Sequence, residues 1–446
     1  MEQNNFFVKN KSIITFLILE VVVLTAFNFG NVSQIFGIAG AVLAILGFFF
    51  VYGTTKEKKT LLPILIPIGL LLVISLIGSL NAFSKGFTVT SNISLLLSLP
   101  AFLALGFFLR KLNDVKPRTV LLVVGGAFAA ITLFGLFSTL IEYGLFYKLI
   151  YKKTPNYYYD GIPYDVTKEM FWLSGFEFGE VFIEYGCLFA ILCSSFLPGL
   201  LFLSPKKDKQ DFIICASIGG IGLLTLLVIP NFYAVIILVV ISSFAFIFKF
   251  LRKNEKVLKI LGISFVSLLG LALIFFIISM INAAIGYKLP GFLNRLFAQN
   301  RFMTNVTPVF EALFTKVGGK LVNFFGLTPT MLNEDITWLE TNMFEVQLLK
   351  EVGLIGTLLF AAFLGISGWF MYHYLKKSED HDYIKSIFVV MILVFFIYES
   401  FYFVISVAPH SESYQAFLRS PTLLTILFVL GYIFTSPLSK EEKKDE

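Results

Sequence analysis

The 446-residue chain is 57% hydrophobic and 17% aromatic but only 14% charged, and its mean hydropathy is +0.84. Soluble domains carry about 25% charged residues, whereas this chain repeats apolar runs of about 20 residues, each long enough to cross a bilayer core of about 30 Å. The formal net charge of +6 is modest, so the composition excludes a soluble globular protein and gives no sign of a nucleic-acid partner.

Twelve apolar runs follow one another along the chain, and each predicts a transmembrane helix. They are Ser12–Asn28, Val32–Val51, Leu61–Leu80, Ile93–Leu109, Val120–Ile141, Val181–Leu203, Phe212–Ile229, Phe232–Phe248, Ile260–Ile281, Gly353–Tyr374, Ile387–Tyr402 and Pro421–Phe434. Tight turns at Gly30-Asn31 and Pro230-Asn231 separate two pairs of runs, which predicts two helical hairpins. The predicted fold class is an all-α polytopic membrane protein of about 12 transmembrane helices, with residues 1–446 forming a single membrane domain.

The basic residues predict the orientation. If the N-terminus lies in the cytoplasm, about two thirds of the 35 Lys and Arg residues fall in cytoplasmic connections. Most of the others lie in two long external loops, 142–170 and 283–344, where the positive-inside bias is weakest. Both termini are therefore predicted to be cytoplasmic.

The larger loop, 283–344, lies between spans 9 and 10 and carries aromatic residues at helix-like spacing, which predicts amphipathic helices. Cations beside this aromatic surface suit an anionic ligand with a lipid tail. The candidates for binding a diphosphate are Arg295, Arg301, Lys316 and, from the loop 142–170, Lys168. The two arginines are the stronger candidates because a guanidinium binds phosphate oxygens in pairs. The alternative is that these charges contact lipid headgroups.

Acidic residues inside apolar runs are costly and therefore informative. Glu177, Glu180 and Glu184 share one helical face at the outer end of the sixth span, which predicts a stripe facing a water-filled cavity or a polar substrate. Glu20 lies in the middle of the first span, and its simplest interpretation is a glutamate with a partner between helices. His410 borders the last external loop and is a cavity candidate because its pKa is ordinarily near neutral; a surface position is the alternative.

Motifs of soluble enzymes are missing from the sequence. It contains no P-loop, no HExxH and no paired metal ligands, which argues against nucleotide-driven or metal-dependent chemistry. We therefore predict no cofactor and no metal site.

A conspicuous segment runs from Asn342 to Gly356, and we name its last nine residues the signature segment. These are Leu348-Leu349-Lys350-Glu351-Val352-Gly353-Leu354-Ile355-Gly356. It resembles the C-terminal signature of the O-antigen ligase and polymerase superfamily, in which a polar residue leads to a Leu-Leu-x-Glu-x-Gly-x-x-Gly run that opens a transmembrane helix. The number of spans, the largest external loop between spans 9 and 10, and an early arginine in that loop are similar as well. The alternative is an ordinary helix start with small packing residues.

The resemblance implies an inverting glycosyl transfer outside the plasma membrane of a bacterium, from a polyprenyl-diphosphate-linked glycan, with other glycan-assembly membrane proteins as further partners. Asn342 stands where the ligases of the superfamily have a histidine, and it cannot act as a base, so the polymerase subclass fits better. The implied catalytic residues are Glu340 or Glu345 as the base, beside Asn342, with Arg295 and Arg301 at the diphosphate. A ligase, a flippase or transporter of the same lipid-linked glycan, and a scaffold without chemistry are the competing interpretations.

The orientation can be tested by cysteine labelling. In a background without native cysteines, we expect Lys153→Cys and Gly318→Cys to react with a membrane-impermeant thiol reagent in intact cells, and Asn254→Cys to react only after lysis. Labelling of Asn254→Cys alone in intact cells would invert the topology.

Overall fold

The computed structural model describes residues 11–27, 34–54, 61–83, 89–112, 115–143, 158–159, 162–163, 188–200, 209–228, 232–251, 325–326, 344–376, 383–401 and 420–434, with isolated positions between 254 and 290. Within these ranges the chain is almost entirely helical. The elements are α1 (Lys11–Ala26), α2 (Gln34–Thr54), α3 (Leu62–Phe83), α4 (Val89–Leu112), α5 (Pro117–Tyr143), β1 (Tyr158–Tyr159), β2 (Ile162–Pro163), α6 (Leu188–Gly199), α7 (Lys209–Val228), α8 (Phe232–Leu251), α9 (Phe344–Lys376), α10 (Tyr383–Phe401) and α11 (Pro421–Ile433).

Each of these helices overlaps one of the predicted apolar runs, although α9 begins at Phe344, nine residues before its run. The ninth run, Ile260–Ile281, lies almost entirely outside the described residues. Five of the described helices contain a stretch that is long and apolar enough to cross a membrane, and other apolar helices are shorter. The five stretches are Ile64–Asn81, Asn92–Leu112, Pro117–Phe137, Lys209–Leu227 and Glu351–Leu375. The chain is therefore an α-helical, multi-pass membrane protein, while a total of twelve spans stays a prediction.

The helix α4 lies at the centre of the described bundle. It packs against four helices, which are α2, α3, α11 and α1. Of its apolar stretch Asn92–Leu112, 83% is buried, the largest fraction among the five candidate spans. The C-terminal helix α11 is likewise buried along its whole length. A helix that is apolar on all sides, as these are, is suited to such an interior position.

The crossing of α4 and α11 brings the two backbones into direct contact. A Cβ atom built on Gly106 would overlap the carbonyl oxygen of Phe428, and one built on Gly431 would overlap the carbonyl oxygen of Leu103. Small residues allow this approach, and in a bilayer close van der Waals packing stabilises helix pairs because burial of apolar surface gives little. The contact holds a late helix against an early one.

Polar contacts show which helix ends lie on the same side of the bundle. Arg118 at the start of α5 forms an ion pair with Asp211 at the start of α7, and Tyr383 at the start of α10 donates to the same carboxylate at 2.5 Å. These ends share a side, as the predicted alternation of spans requires. Which side faces the cytoplasm stays a prediction.

The described residues confirm the all-α class, and besides the helices they contain one very short strand pairing, in the segment 142–170. Tyr158–Tyr159 and Ile162–Pro163 pair as a short antiparallel ladder, with Tyr159 opposite Ile162. The two strands are separated by Asp160-Gly161, a dipeptide that favours the tight turn of a β-hairpin because glycine accepts a positive φ.

The two predicted hairpins differ in packing. The helices α1 and α2 contact each other, as a hairpin predicts. In the second pair α7 packs mainly against α5 and α6, whereas α8 packs mainly against α10. A short connection therefore joins two helices whose main neighbours differ, although both of them contact α6.

The α4–α11 crossing predicts opposite signs for two glycine substitutions. Gly106→Ala should lower the thermal stability of the purified protein, because overpacking costs about 1–3 kcal/mol. The added methyl group would meet the backbone of α11, which cannot rotate away as a side chain can. Gly126→Ala, in α5, should be neutral or stabilising by up to about 1 kcal/mol, since nothing lies within 4 Å of its Cβ position and alanine favours helix. Equal melting temperatures in detergent for both variants would contradict the tight crossing.

Candidate functional site

The signature segment contains a break in α9. Gly353 has φ 68° and ψ −170°, a backbone conformation that is essentially restricted to glycine, so the helix that ends near Val352 is bent relative to the one that follows. The segment is therefore not an ordinary helix start. Its first glycine is required by the backbone conformation.

Asn81, the last residue of the apolar stretch of α3, holds the bend. In a continuous helix the carbonyl of Glu351 would accept a hydrogen bond from the amide of residue 355, but the break at Gly353 interrupts that ladder. The Asn81 Nδ2 atom donates to the Glu351 carbonyl at 2.8 Å and to the Phe325 carbonyl at 2.6 Å. One buried amide group thus joins α3, α9 and the chain at Phe325.

Gly326 allows the chain at Phe325 to approach this closely. Its φ of 112° favours glycine, and a Cβ atom there would lie 2.7 Å from Asn81 Nδ2 and 2.9 Å from the Glu351 carbonyl oxygen. Any larger residue would push the loop away from α3. The loop 283–344 is therefore tied to the bundle at a point 18 residues before the first described residue of α9.

Two residues that follow the bend, Thr357 and Gly356, also contact residues at the bend. The Thr357 hydroxyl donates to the Gly353 carbonyl at 2.8 Å. At Gly356 a Cβ atom would overlap the side chain of Val352, so the second glycine of the signature segment provides room for that valine. Both glycines of the segment thus have a steric function, one for conformation and one for packing.

Two carboxylates are buried at ends of the bundle predicted to be external. The side chain of Glu351 is fully buried within the signature segment, and Glu399, near the end of α10, is 2% exposed. Burying an acidic group inside a membrane protein is costly, so such residues mark functional positions unless they serve packing alone. Of the two, Glu351 is the stronger candidate for a functional carboxylate, because its backbone carbonyl also forms part of the bend.

Few of the predicted site residues lie among the residues that the structure describes. Glu345 lies in the first turn of the described α9, six residues before Glu351. The remaining predicted site residues lie outside the described residues; they are Glu340, Asn342, Arg295, Arg301, Lys316, Lys168, Glu177, Glu180, Glu184 and His410. The Glu20 side chain is exposed on α1 and is not enclosed between described helices, so its interhelical partner stays a prediction.

Sequence reasoning missed Asn81 and Gly326. Asn81 ends an apolar run, where a polar residue is ordinary, and its hydrogen-bond partners are 244 and 270 residues away in the chain. For Gly353 a signal was present, because glycine accepts the positive φ that interrupts a helix as readily as it allows close packing.

A second polar cluster joins the opposite ends of α5, α7 and α10. The Arg118 and Asp211 side chains are in ion-pair contact without an aligned hydrogen bond, while Tyr383 donates to Asp211. Burial, reinforced by this hydrogen bond, raises the pKa of Tyr383, which precedes the apolar run that starts at Ile387. The phenol therefore stays protonated and remains the donor, so the cluster is suited to hold three helices together.

Among the residues that the structure describes, no three His, Cys, Asp or Glu side chains are arranged to hold a metal ion. Comparisons with protein-family models, with curated proteins and with solved structures find no match.

The bend predicts contrasting effects for two substitutions in α9. Gly353→Ala should lower stability by about 1–3 kcal/mol, the usual cost of a strained backbone conformation. Gly365→Ala is the matched control, since it lies in the same helix with nothing within 4 Å of its Cβ position, and should be neutral or slightly stabilising. Thermal unfolding of both purified variants checks this, and an unchanged Gly353→Ala variant would mean that α9 is not bent there.

Proposed function

We propose that this chain is a polysaccharide polymerase of the bacterial plasma membrane, which joins polyprenyl-diphosphate-linked oligosaccharide repeats on the outer side by inverting, metal-independent glycosyl transfer. The observation that supports this most is the bend in the signature segment. The motif that resembles the O-antigen ligase and polymerase superfamily coincides with a glycine-specific break and a buried glutamate. An ordinary helix start needs neither feature.

In the proposed reaction, a hydroxyl of one lipid-linked repeat attacks the anomeric carbon of another. The bond from that carbon to the diphosphate oxygen breaks, and polyprenyl diphosphate leaves with the electron pair. A carboxylate takes the hydroxyl proton, which is the role proposed for Glu340 or Glu345. Arg295 and Arg301 stabilise the charge that develops on the leaving diphosphate.

The Asn81 contacts suit this proposal because they restrict the segment that carries the proposed base. Residues 327–343 connect Phe325-Gly326, where Asn81 of α3 donates to the Phe325 carbonyl, with the first described turn of α9. A base must lie within hydrogen-bond distance of the proton that it removes, so fixing both ends of its segment favours catalysis. Glu351, buried in α9 after this segment and before the bend, is suited to orient the helix start.

The proposal includes the finer features predicted from the sequence. It places about 12 spans in the membrane, both termini in the cytoplasm, and the loops 142–170 and 283–344 outside. Lys168 and Lys316 then contribute positive charge on the outer side, while Glu177, Glu180, Glu184 and His410 line the cavity in which the glycan moves.

A transporter of the same lipid-linked glycan is the second candidate. Broken membrane helices with buried carboxylates are typical of transporters, in which they bind ions or polar substrates near the centre of the bilayer. The break at Gly353 favours this alternative in its own right, although it lies at an end of α9's apolar stretch. A ligase that transfers the glycan to another acceptor would share the polymerase chemistry and differ in its product.

A reconstituted assay separates these functions. Purified protein in lipid vesicles receives a synthetic lipid-linked repeat, without nucleotide or ion gradient, and the products are separated on gels. We expect longer glycans from the wild type and rates lower by about 10²–10⁴-fold from Glu340→Gln or Glu345→Gln, whichever is the base. Arg301→Lys should lose about tenfold or more, because the charge remains but paired hydrogen bonds do not.

Arg118→Lys is the matched control, because it makes the same exchange at the opposite side of the bundle, where Asp211 still meets a cation; its rate should equal that of the wild type. Movement of the lipid-linked repeat between leaflets, with no longer glycan, would replace the polymerase by the transporter. Wild-type rates in all the glutamate variants would remove the acidic base from the mechanism.

A further inference from the structure

The outward face of α1 carries one carboxylate among apolar side chains. The residues that α1 buries against the bundle are Thr15, Ile18, Val22, Thr25 and Ala26. On the opposite side six exposed residues form what we name the α1 stripe, and these are Ile13, Phe16, Leu17, Glu20, Leu24 and Phe27. With 3.6 residues per turn, the stripe covers only about 100° of the helix circumference. Glu20 lies at its middle.

The depth of Glu20 makes this exposure costly. It is the central residue of the predicted span Ser12–Asn28, eight residues from either end, which at 1.5 Å per residue is about 12 Å. A glutamate side chain is too short to reach the interface over that distance. The helix α1 shares the layer of the membrane-crossing helices, because it packs against α4 and α5. A carboxyl group at that depth needs a polar partner.

The described part of the bundle does not provide that partner. The neighbours of α1 are α2, α4, α5 and α11, and they contact its opposite face. No described side chain forms a hydrogen bond or ion pair with Glu20. The partner must therefore come to the stripe from outside the described helices, either from another part of this chain or from another molecule.

We propose that the α1 stripe is an interface between two copies of this chain, in which the two Glu20 carboxyl groups share a hydrogen bond at the two-fold axis. Ile13, Glu20 and Phe27 repeat at intervals of seven, with apolar residues between them, which is the spacing of a two-helix seam. Two copies in the same membrane orientation place Glu20 at the same depth, so each finds the other without further adjustment.

Other occupants fit the stripe less well. A lipid-linked diphosphate is anionic, and the oxygen atoms of the Glu20 carboxyl group would repel it. A membrane helix from a different protein would need a basic or polar side chain at the depth of Glu20. A single polar residue in a heptad seam is a feature that fixes the register of like helices, and this favours the second copy.

Cysteine cross-linking in native membranes tests the interface. In a background without native cysteines, Phe16→Cys and Leu24→Cys should form disulfide-linked dimers on mild oxidation. Ile38→Cys and Val42→Cys in α2 are the matched controls, because they are exposed on an outward face that carries no carboxylate; they should remain monomeric. Added to Leu24→Cys, Glu20→Leu should reduce the association constant about three- to tenfold, whereas Glu20→Gln, which keeps a hydrogen-bonding group, should preserve it.

Equal cross-linking of the α1 and α2 positions would overturn the interface. A product whose mass corresponds to this chain plus a different protein would overturn the second copy as its occupant. If Glu20→Leu dimerises as well as the wild type and elutes identically on gel filtration, Glu20 has no part in association. None of these results depends on the glycosyl-transfer assay, so the interface and the proposed function can fail separately.

Discussion

The constraint on which the rest of the structure depends is that a backbone polar group inside a bilayer must find its partner within the protein. Regular helices satisfy this constraint along most of the described chain, because each backbone carbonyl accepts a hydrogen bond within its own helix. At the bend at Gly353, the backbone of α9 loses this internal pairing. Asn81 supplies the missing donor to the Glu351 carbonyl and binds the Phe325 carbonyl with the same group. Asn81 therefore ties the signature segment to α3 by hydrogen bonds, beside the packing of α9 against the same helix.

The bundle around this point is assembled from helices that are distant in the sequence. The helix α4 lies between early helices and α11, and the glycines at the α4–α11 crossing bring the two backbones together. At the opposite end of the bundle, the Arg118–Asp211–Tyr383 cluster joins three further helices. Polar contacts thus fix the helix ends, while close packing fixes the helix crossings, as expected where water does not drive association.

The proposed chemistry and the proposed interface use different parts of the molecule. The buried Glu351 and the bend lie in α9, whereas Glu20 faces outward from α1. Both are acidic residues in apolar surroundings, but their environments give them different roles. An enclosed carboxylate suits positioning or chemistry within the chain, whereas an exposed one at the centre of a span requires a partner from outside.

The sequence by itself determined the helical membrane class and the positions of the described helices, because an apolar run of sufficient length can satisfy its backbone in lipid only as a helix. It also predicted which helix ends share a side. Only the tertiary structure decided that α9 bends at Gly353, that Asn81 holds the bend and that Glu20 faces outward. These features depend on contacts between residues hundreds of positions apart, and a local pattern of residue types contains no information on which helices become neighbours.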